Sequence, residues 1–167
     1  MNNNKRGIST KKLTRGAVIA ALYTALTYLC TLFGLSSGVI QLRVSEALCI
    51  LPAFMPEAIP GLFIGCIISN LISACAPWDV VFGSIATLIG AFGAYLLRKV
   101  PYKLGWMITL PNIISNTLIV PFILINVYGA EEGLFFLIGT VGAGEIISAG
   151  ILGSVLYYTL RKSKIIK

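Results

Sequence analysis

Long apolar runs separated by short polar stretches dominate the chain. Five runs are clear, and they cover approximately residues 13–35, 59–76, 80–97, 106–127 and 134–160. Each is long enough for the roughly 20 residues that a helix needs to cross the hydrocarbon core of a bilayer. The pattern therefore predicts an all-α, polytopic membrane protein.

Composition supports lipid as the surrounding solvent. Hydrophobic residues make up 57% of the chain and charged residues only 11%, which leaves too little polar surface to cover a soluble domain. The first apolar run lacks a small-residue cleavage site, so we expect it to be retained and not removed as a signal peptide. We divide the chain into a basic cytoplasmic N-terminus at residues 1–13, a membrane domain at 14–161 and a basic cytoplasmic tail at 162–167, and expect a multi-pass protein of the cell membrane.

The positive charges indicate how many times the chain crosses the bilayer. The formal net charge is +7, and all basic residues except Arg43 fall into three clusters: Lys5, Arg6, Lys11, Lys12 and Arg15; Arg98, Lys99 and Lys103; and Arg161, Lys162, Lys164 and Lys167. Apolar runs separate these clusters, which is typical of cytoplasmic loops and not of a nucleic-acid-binding face. Six crossings would place all three clusters in the cytoplasm and leave Glu131 and Glu132 outside. We therefore predict six transmembrane helices with both termini cytoplasmic.

The sixth crossing has to come from residues 38–56, which are poorly suited to it. The apolar part, residues 47–55, would span only about 14 Å as a helix, against a hydrocarbon core of roughly 30 Å. Either Arg43 and Glu46 enter the membrane, or the segment is short and sheltered by its neighbours. Prolines that recur at every fourth residue predict a turn after it: Pro52, Pro56 and Pro60.

Charged residues within the membrane domain are the first candidates for function. Glu145 lies about twelve residues into the last apolar run, where a carboxylate is costly unless it faces a cavity, a partner or a ligand. The alternative is a protonated glutamate that bonds to a neighbouring helix. Arg43 and Glu46 are neighbours if their segment is helical; they form either a structural salt bridge or a grip for a polar heterocycle.

Uncharged polar residues and a tryptophan add further candidates. Trp78 and Asp79 stand at the outer start of the fourth span, where Trp78 suits an interfacial anchor and Asp79 a helix cap, or both contact a ligand. Four asparagines lie within or at the edge of spans: Asn70, Asn112, Asn116 and Asn126. Asn112 and Asn116 share a helix face, which suits helix-to-helix hydrogen bonds as well as a pocket lining.

Several function classes lack their essential parts. The chain has no P-loop and no histidine, so it holds neither a nucleotide site of that kind, a Ser-His dyad nor an H-E-x-x-H zinc site. The four cysteines form no C-x-x-C pair and are read as small buried hydrophobes. We therefore expect no enzyme, no metal and no cofactor, and nothing indicates a channel filter.

Two polar motifs at a fixed spacing resemble the QueT family. They are QLRVSEAL at residues 41–48 and WDVVFGSIATL at residues 78–88, with AIPGLFIG at 58–65 and Asn70 between them. The resemblance runs from about residue 14 to 161. It implies an S component, the six-helix substrate-binding subunit of an energy-coupling factor importer, taking up a queuosine precursor with a deazaguanine base.

The resemblance also implies partners and roles. A transmembrane coupling subunit and two ATPase subunits would supply the energy, and small residues spaced by four on the first helix would dock onto the coupling subunit: Ala17, Ala21 and Ala25. Periodicity alone fits ordinary packing within the bundle equally well. The proposed partners are thus the base, these subunits and the lipid bilayer, with no nucleic acid.

The ligand that the resemblance supplies suggests an outward-facing pocket. Its frame would be Arg43, Glu46, Trp78 and Asp79, and its floor Glu145, Asn70, Asn116 and Asn126. Trp78 would stack on the base, the acids would accept donors or pair an amine, the asparagines would read the remaining edge, and Arg43 would meet the carbonyl. Asn112 is placed outside, nearer the cytoplasmic half. The alternatives are an ion-coupled secondary transporter in which Glu145 titrates, and a structural subunit that binds no small molecule.

Overall fold

The structure, a computed structural model, describes residues 9–36 and 41–163, and this part of the chain is mainly helical, without strands. The helices in chain order are α1 (Thr10–Leu32), a short 3₁₀ helix (Val44–Ala53), α2 (Ala58–Ile72), α3 (Pro77–Leu96), α4 (Leu110–Asn126), α5 (Leu134–Glu145) and α6 (Gly153–Ser163). A π-helical segment, Ile146–Leu152, joins α5 to α6, while 3₁₀ turns at Leu97–Lys99 and Tyr102–Thr109 connect α3 to α4. The prediction of an all-α fold is confirmed.

Four helical stretches are long and apolar enough to cross a membrane. They are Thr10–Leu32, Pro77–Lys99, Tyr102–Asn126 and Leu134–Ser163, and the shorter apolar helices Val44–Ala53 and Ala58–Ile72 complete the set in the described residues. Large apolar side chains remain exposed on the outside of the bundle, such as Phe135 and Phe33. Such a surface suits lipid contact, and the fold is consistent with a bundle of six membrane helices.

The segment between α1 and α2 is short and sheltered, one of the two arrangements that the sequence left open. Val44–Ala53 forms a 3₁₀ helix of 10 residues, which extends about 20 Å at roughly 2 Å per residue. Most of its side chains are buried against α1, α3 and the π-helical segment. The prolines take the expected positions: Pro52 inside this helix, Pro56 in the following turn and Pro60 in the first turn of α2. Residues 38–40 lie outside the described part.

Contacts at one end of the bundle fix the relation between α1 and α6. Arg15 near the start of α1 forms an ion pair with Glu57, with 3.2 Å between Nη1 and Oε1. Phe54 packs against Tyr157 of α6, with ring centroids 5.4 Å apart. The start of α1 and α6 therefore lie beside the same turn, at the end of the bundle where Arg15 and Arg161 lie.

α1 and α2 pack with their backbones in close contact. A Cβ atom added at Gly61 would lie 2.6 Å from the carbonyl oxygen of Gly16, and one at Gly65 would lie 2.9 Å from that of Ala20. These glycines bring Tyr23 of α1 into the core, where it is fully buried. The position of Tyr23 matters below, because its hydroxyl reaches the short 3₁₀ helix.

Candidate functional site

A polar cavity of about 400 Å³ opens at the end of the bundle opposite to the Arg15–Glu57 pair. It lies where α1 ends, α2 ends, α3 begins and α4 ends. Its lining combines polar and apolar side chains: Thr27, Thr31, Ser36, Gln41, Arg43, Asn70, Ser73, Ala74, Cys75, Asp79, Val120, Ile123, Leu124 and Tyr128. Three of the residues singled out from the sequence meet here, namely Arg43, Asn70 and Asp79.

Arg43 brings a cation to the cavity without a carboxylate bound to it. The only ion pair within 4 Å among the described residues joins Arg15 to Glu57, so Arg43 and Glu46 do not form the salt bridge considered from their spacing. Arg43 precedes the 3₁₀ helix with an extended backbone (φ −119°, ψ 93°) and does not continue its helical face. Its backbone N–H donates to Ser148 Oγ at 3.2 Å, which fixes it against the π-helical segment.

Asp79 is held in place by Tyr128. The Tyr128 hydroxyl donates to Asp79 Oδ2 at 3.0 Å and accepts from the backbone N–H of Ala76, also at 3.0 Å. Removal of the hydroxyl from water, together with the neighbouring Asp79 carboxylate, raises the pKa of Tyr128 to about 12. Tyr128 therefore stays protonated at neutral pH and remains a donor, while Asp79 Oδ2 is the acceptor.

Asn70 lies beside Asp79 because α3 carries a glycine there. Asn70 is 1% exposed, and its Nδ2 is 3.5 Å from the Asp79 backbone oxygen. A Cβ atom at Gly83 would lie 3.2 Å from Asp79 Oδ1 and 3.3 Å from Asn70 Nδ2. Gly83 thus leaves room for an amide and a carboxylate to face the cavity together.

Glu46 and Glu145 lie outside the cavity lining, and Asn112 connects them. Asn112 Nδ2 donates to Glu46 Oε2 at 3.0 Å and to Glu145 Oε2 at 3.2 Å. Asn112 itself does not line the cavity. Glu46, however, points into the bundle with it, because it belongs to the 3₁₀ helix that runs away from Arg43.

Trp78, Asn116 and Asn126 are also outside the cavity. Trp78 is 61% exposed and stacks on Phe82 at the surface, with ring centroids 6.0 Å apart. Asn126 donates to the carbonyl of Phe122 and lines a shallow apolar groove that also includes Trp78. Asn116 is buried and donates to the carbonyl of Asn112 at 3.1 Å. The position of Trp78 fits an interfacial anchor.

Sequence reasoning did not single out several lining residues. Thr27 and Thr31 lie one turn apart at the end of α1, and Tyr128 directly follows α4. The two threonines could have been found from the sequence, because they form a polar face on the last turns of an apolar helix. Tyr128 could not, because its position next to Asp79 depends on the turn of the chain after α4.

The small residues of α1 lie on an open surface. Ala17, Ala21 and Ala25 are exposed and line an apolar groove of about 1,070 Å³ between α1 and α2. Tyr23, by contrast, faces the bundle and is buried. The three alanines are therefore not used for packing within the described part of the chain.

Known transporters resemble this chain. A family model described as the QueT transporter matches residues 13–162. Over 74 residues the chain is 43% identical to the queuosine precursor transporter QueT of Lactococcus lactis subsp. cremoris (strain MG1363). That stretch is 44% of this chain and 43% of the relative, so it spans less than half of the relative's length. No solved structure matches the chain.

Proposed function

Because the chain belongs to the QueT transporter family, we propose that it is the substrate-binding membrane subunit of an importer for a queuosine precursor. Members of this family are transporters and not enzymes. The cavity of Arg43, Asn70 and Asp79 carries the proposal, because its 400 Å³ suits a small heterocyclic base. It opens away from the basic end of the bundle, which the positive-inside rule assigns to the cytoplasm.

The charges of the cavity fit a deazaguanine base. The Asp79 carboxylate accepts the N–H donors of a guanine-like edge or pairs an aminomethyl cation, and Arg43 donates to the base carbonyl. Asn70 offers both a donor and an acceptor for the remaining edge atoms. Tyr128 takes the aromatic role first given to Trp78, since it is the aromatic side chain in the described lining.

The energy source in this proposal is a separate ATPase module. The sequence has no P-loop of its own, and the groove of Ala17, Ala21 and Ala25 offers a smooth surface on which a transmembrane coupling subunit can pack closely. An ion-coupled carrier is the second candidate, favoured by the buried acids Glu46 and Glu145. It is the weaker one, because neither acid lines the cavity.

Ligand titration of the purified protein in detergent tests the site. Asp79→Asn should weaken binding of the deazaguanine base at least tenfold, about 1.4 kcal/mol, because the amide places a donor where the base has donors. Asn126→Ala is the control outside the cavity and should bind as the wild type does. Failure of the wild type to bind any such base, or unchanged affinity in Asp79→Asn, would contradict the proposal.

Uptake into vesicles separates the two energy sources. The subunit reconstituted alone should not accumulate the base on a proton or sodium gradient, and uptake should require the ATPase module and ATP. Gradient-driven uptake by the chain alone would identify a carrier instead.

A further inference from the structure

Two acidic side chains from different elements meet at one amide inside the bundle. Glu46 belongs to the short 3₁₀ helix and Glu145 to the end of α5, and both place Oε2 within 3.2 Å of Asn112 Nδ2. Glu46 and Asn112 are 1% exposed and Glu145 is 8% exposed. The three side chains form a group distinct from the cavity of Arg43, Asn70 and Asp79.

No cation among the described residues forms an ion pair with this group. Arg43 is the nearest arginine in sequence to Glu46, yet no ion pair within 4 Å joins it to either acid in residues 9–36 and 41–163. Two ionised carboxylates that share one donor, away from water, repel each other, and the usual result is that one of them keeps its proton.

The hydrogen bonds show which acid is better suited to carry the negative charge. Glu46 accepts from the Tyr23 hydroxyl at Oε1, from the Cys49 thiol at 3.3 Å and from Asn112 at Oε2. Glu145 accepts only from Asn112 among the described residues. Because donors favour the ionised form of a carboxyl group, Glu145, with a single donor, is the acid of the two better suited to hold a proton.

The orientation of the Asn112 amide agrees with a group that holds a single proton. Asn112 Oδ1 is buried without a hydrogen-bond partner in the described part of the chain, while its NH₂ group donates to both acids. The amide is thus oriented to serve acceptors, as at least one ionised carboxylate requires. Two protonated acids would instead favour the opposite orientation, with Oδ1 accepting.

We propose that the Glu46–Asn112–Glu145 group is a proton-binding site, which holds one proton on Glu145 at neutral pH. The proton allows the 3₁₀ helix and the last span to pack together beside Arg43, whose N–H is bound by Ser148 one turn beyond Glu145. This site does not depend on the identity of the transported substrate.

Other titratable side chains surround the pair. From the elements packed against it, those that interact with it electrostatically are Tyr23 of α1, Arg43 and Cys49 on the segment of Glu46, and Cys66 of α2. The α4 contribution, Asn112, does not titrate, and Asp79 of α3 lies in the cavity, where it acts on Arg43. None of these groups places a positive charge in contact with Glu145, so none of them makes the proton unnecessary.

Infrared spectroscopy of the protein in an ester-free detergent tests the assignment. The wild type at neutral pH should show the C=O stretching band of a protonated carboxyl group. Glu145→Gln should remove this band, and Glu131→Gln, which replaces an exposed acid outside the group, should retain it. A wild type without the band, or a band that survives Glu145→Gln, would overturn the proposal.

The pH dependence of thermal stability provides a second readout. The unfolded chain releases the Glu145 proton above about pH 4.3, whereas the folded chain keeps it, so wild-type stability should fall as the pH rises beyond that value. Glu145→Gln is isosteric with the protonated acid and should melt at a temperature that falls less with pH. Parallel melting curves, or a Glu145→Gln protein that does not fold, would count against a proton held on Glu145.

Discussion

The Tyr128 hydroxyl joins the start of α3 to the connection that follows α4. It donates to Asp79 and accepts from the N–H of Ala76, so one side chain holds both the carboxylate and the backbone turn beside it. This arrangement makes Tyr128 a positioning residue for Asp79 as well as part of the cavity wall.

Replacing Tyr128 with phenylalanine should reveal that role. Tyr128→Phe keeps the ring but removes the donor to Asp79, and we expect base affinity to drop by roughly tenfold or less, in line with the loss of one hydrogen bond to a charged group. Binding titration measures this, with Tyr28→Phe on the exposed face of α1 as the matched control. An affinity equal to that of the wild type would show that Asp79 needs no such support.

The same substitution predicts a difference at alkaline pH. The pKa of Tyr128 is raised from its ordinary value of about 10 to about 12, so the folded state binds a proton that the unfolded state has released. Stability should therefore decline between about pH 10 and pH 12 in the wild type and decline less in Tyr128→Phe. Melting temperatures across this range provide the measurement.

Of the polar residues that spacing and motifs grouped together, the structure brings some to one cavity and separates others. Arg43 and Asp79 were taken together from two motifs, and they do line one cavity. Glu46 was grouped with Arg43 because helical neighbours three apart share a face, but Arg43 is extended and precedes the helix. A single backbone conformation thus decided that Glu46 faces Asn112 and not the cavity.

Among the elements, the short 3₁₀ helix was the least accessible to sequence reasoning. The long apolar runs fixed the positions of α1, α3, α4 and the last span, since length and hydrophobicity suffice for a membrane helix. Val44–Ala53 is shorter than a membrane helix needs to be, and it begins beside charged residues. It is stabilised by the side chains packed around it, including the hydrogen bond from Thr27 Oγ1 to Ser45 Oγ at 2.7 Å. Such tertiary contacts produce no periodic pattern in the sequence, so they could not be predicted from it.

Helix α1 has an inner face that packs in the bundle and an outer face that lines an open groove. Tyr23 and Thr27 bond to the 3₁₀ helix on the inner face, whereas Ala17, Ala21 and Ala25 line the open groove. A bulky residue in the groove should therefore block a docked helix without disturbing the cavity.

Ala21→Trp tests whether the groove serves coupling and not substrate binding. We expect the variant to bind the base with wild-type affinity but to lose most ATP-dependent uptake, because the tryptophan prevents close helix contact. Leu22→Trp is the matched control, since Leu22 is exposed on α1 but does not line the groove. Equal uptake by the two variants would remove the groove from the proposed coupling interface.

At the scale of the whole molecule, charge and polarity separate along the bundle axis. The acids Asp79, Glu131 and Glu132 lie towards the cavity end, and the basic residues of the three clusters that fall within 9–36 and 41–163 lie towards the other end, where Glu57 is bound by Arg15. The positive-inside rule then predicts one orientation, with its cavity facing outward. This orientation is the one that the proposed importer requires.

The cysteine at the cavity allows that orientation to be measured by thiol labelling of intact cells. Cys30, Cys49 and Cys66 are buried, while Cys75 is partly exposed and lines the cavity. Burial and the nearby Asp79 raise the pKa of the Cys75 thiol, so its alkylation should be slow at neutral pH and faster in mildly alkaline buffer. A membrane-impermeant maleimide added outside should label wild type but not Cys75→Ser, and bound substrate should slow the labelling. The protein thus carries a native reporter of both its sidedness and its occupancy.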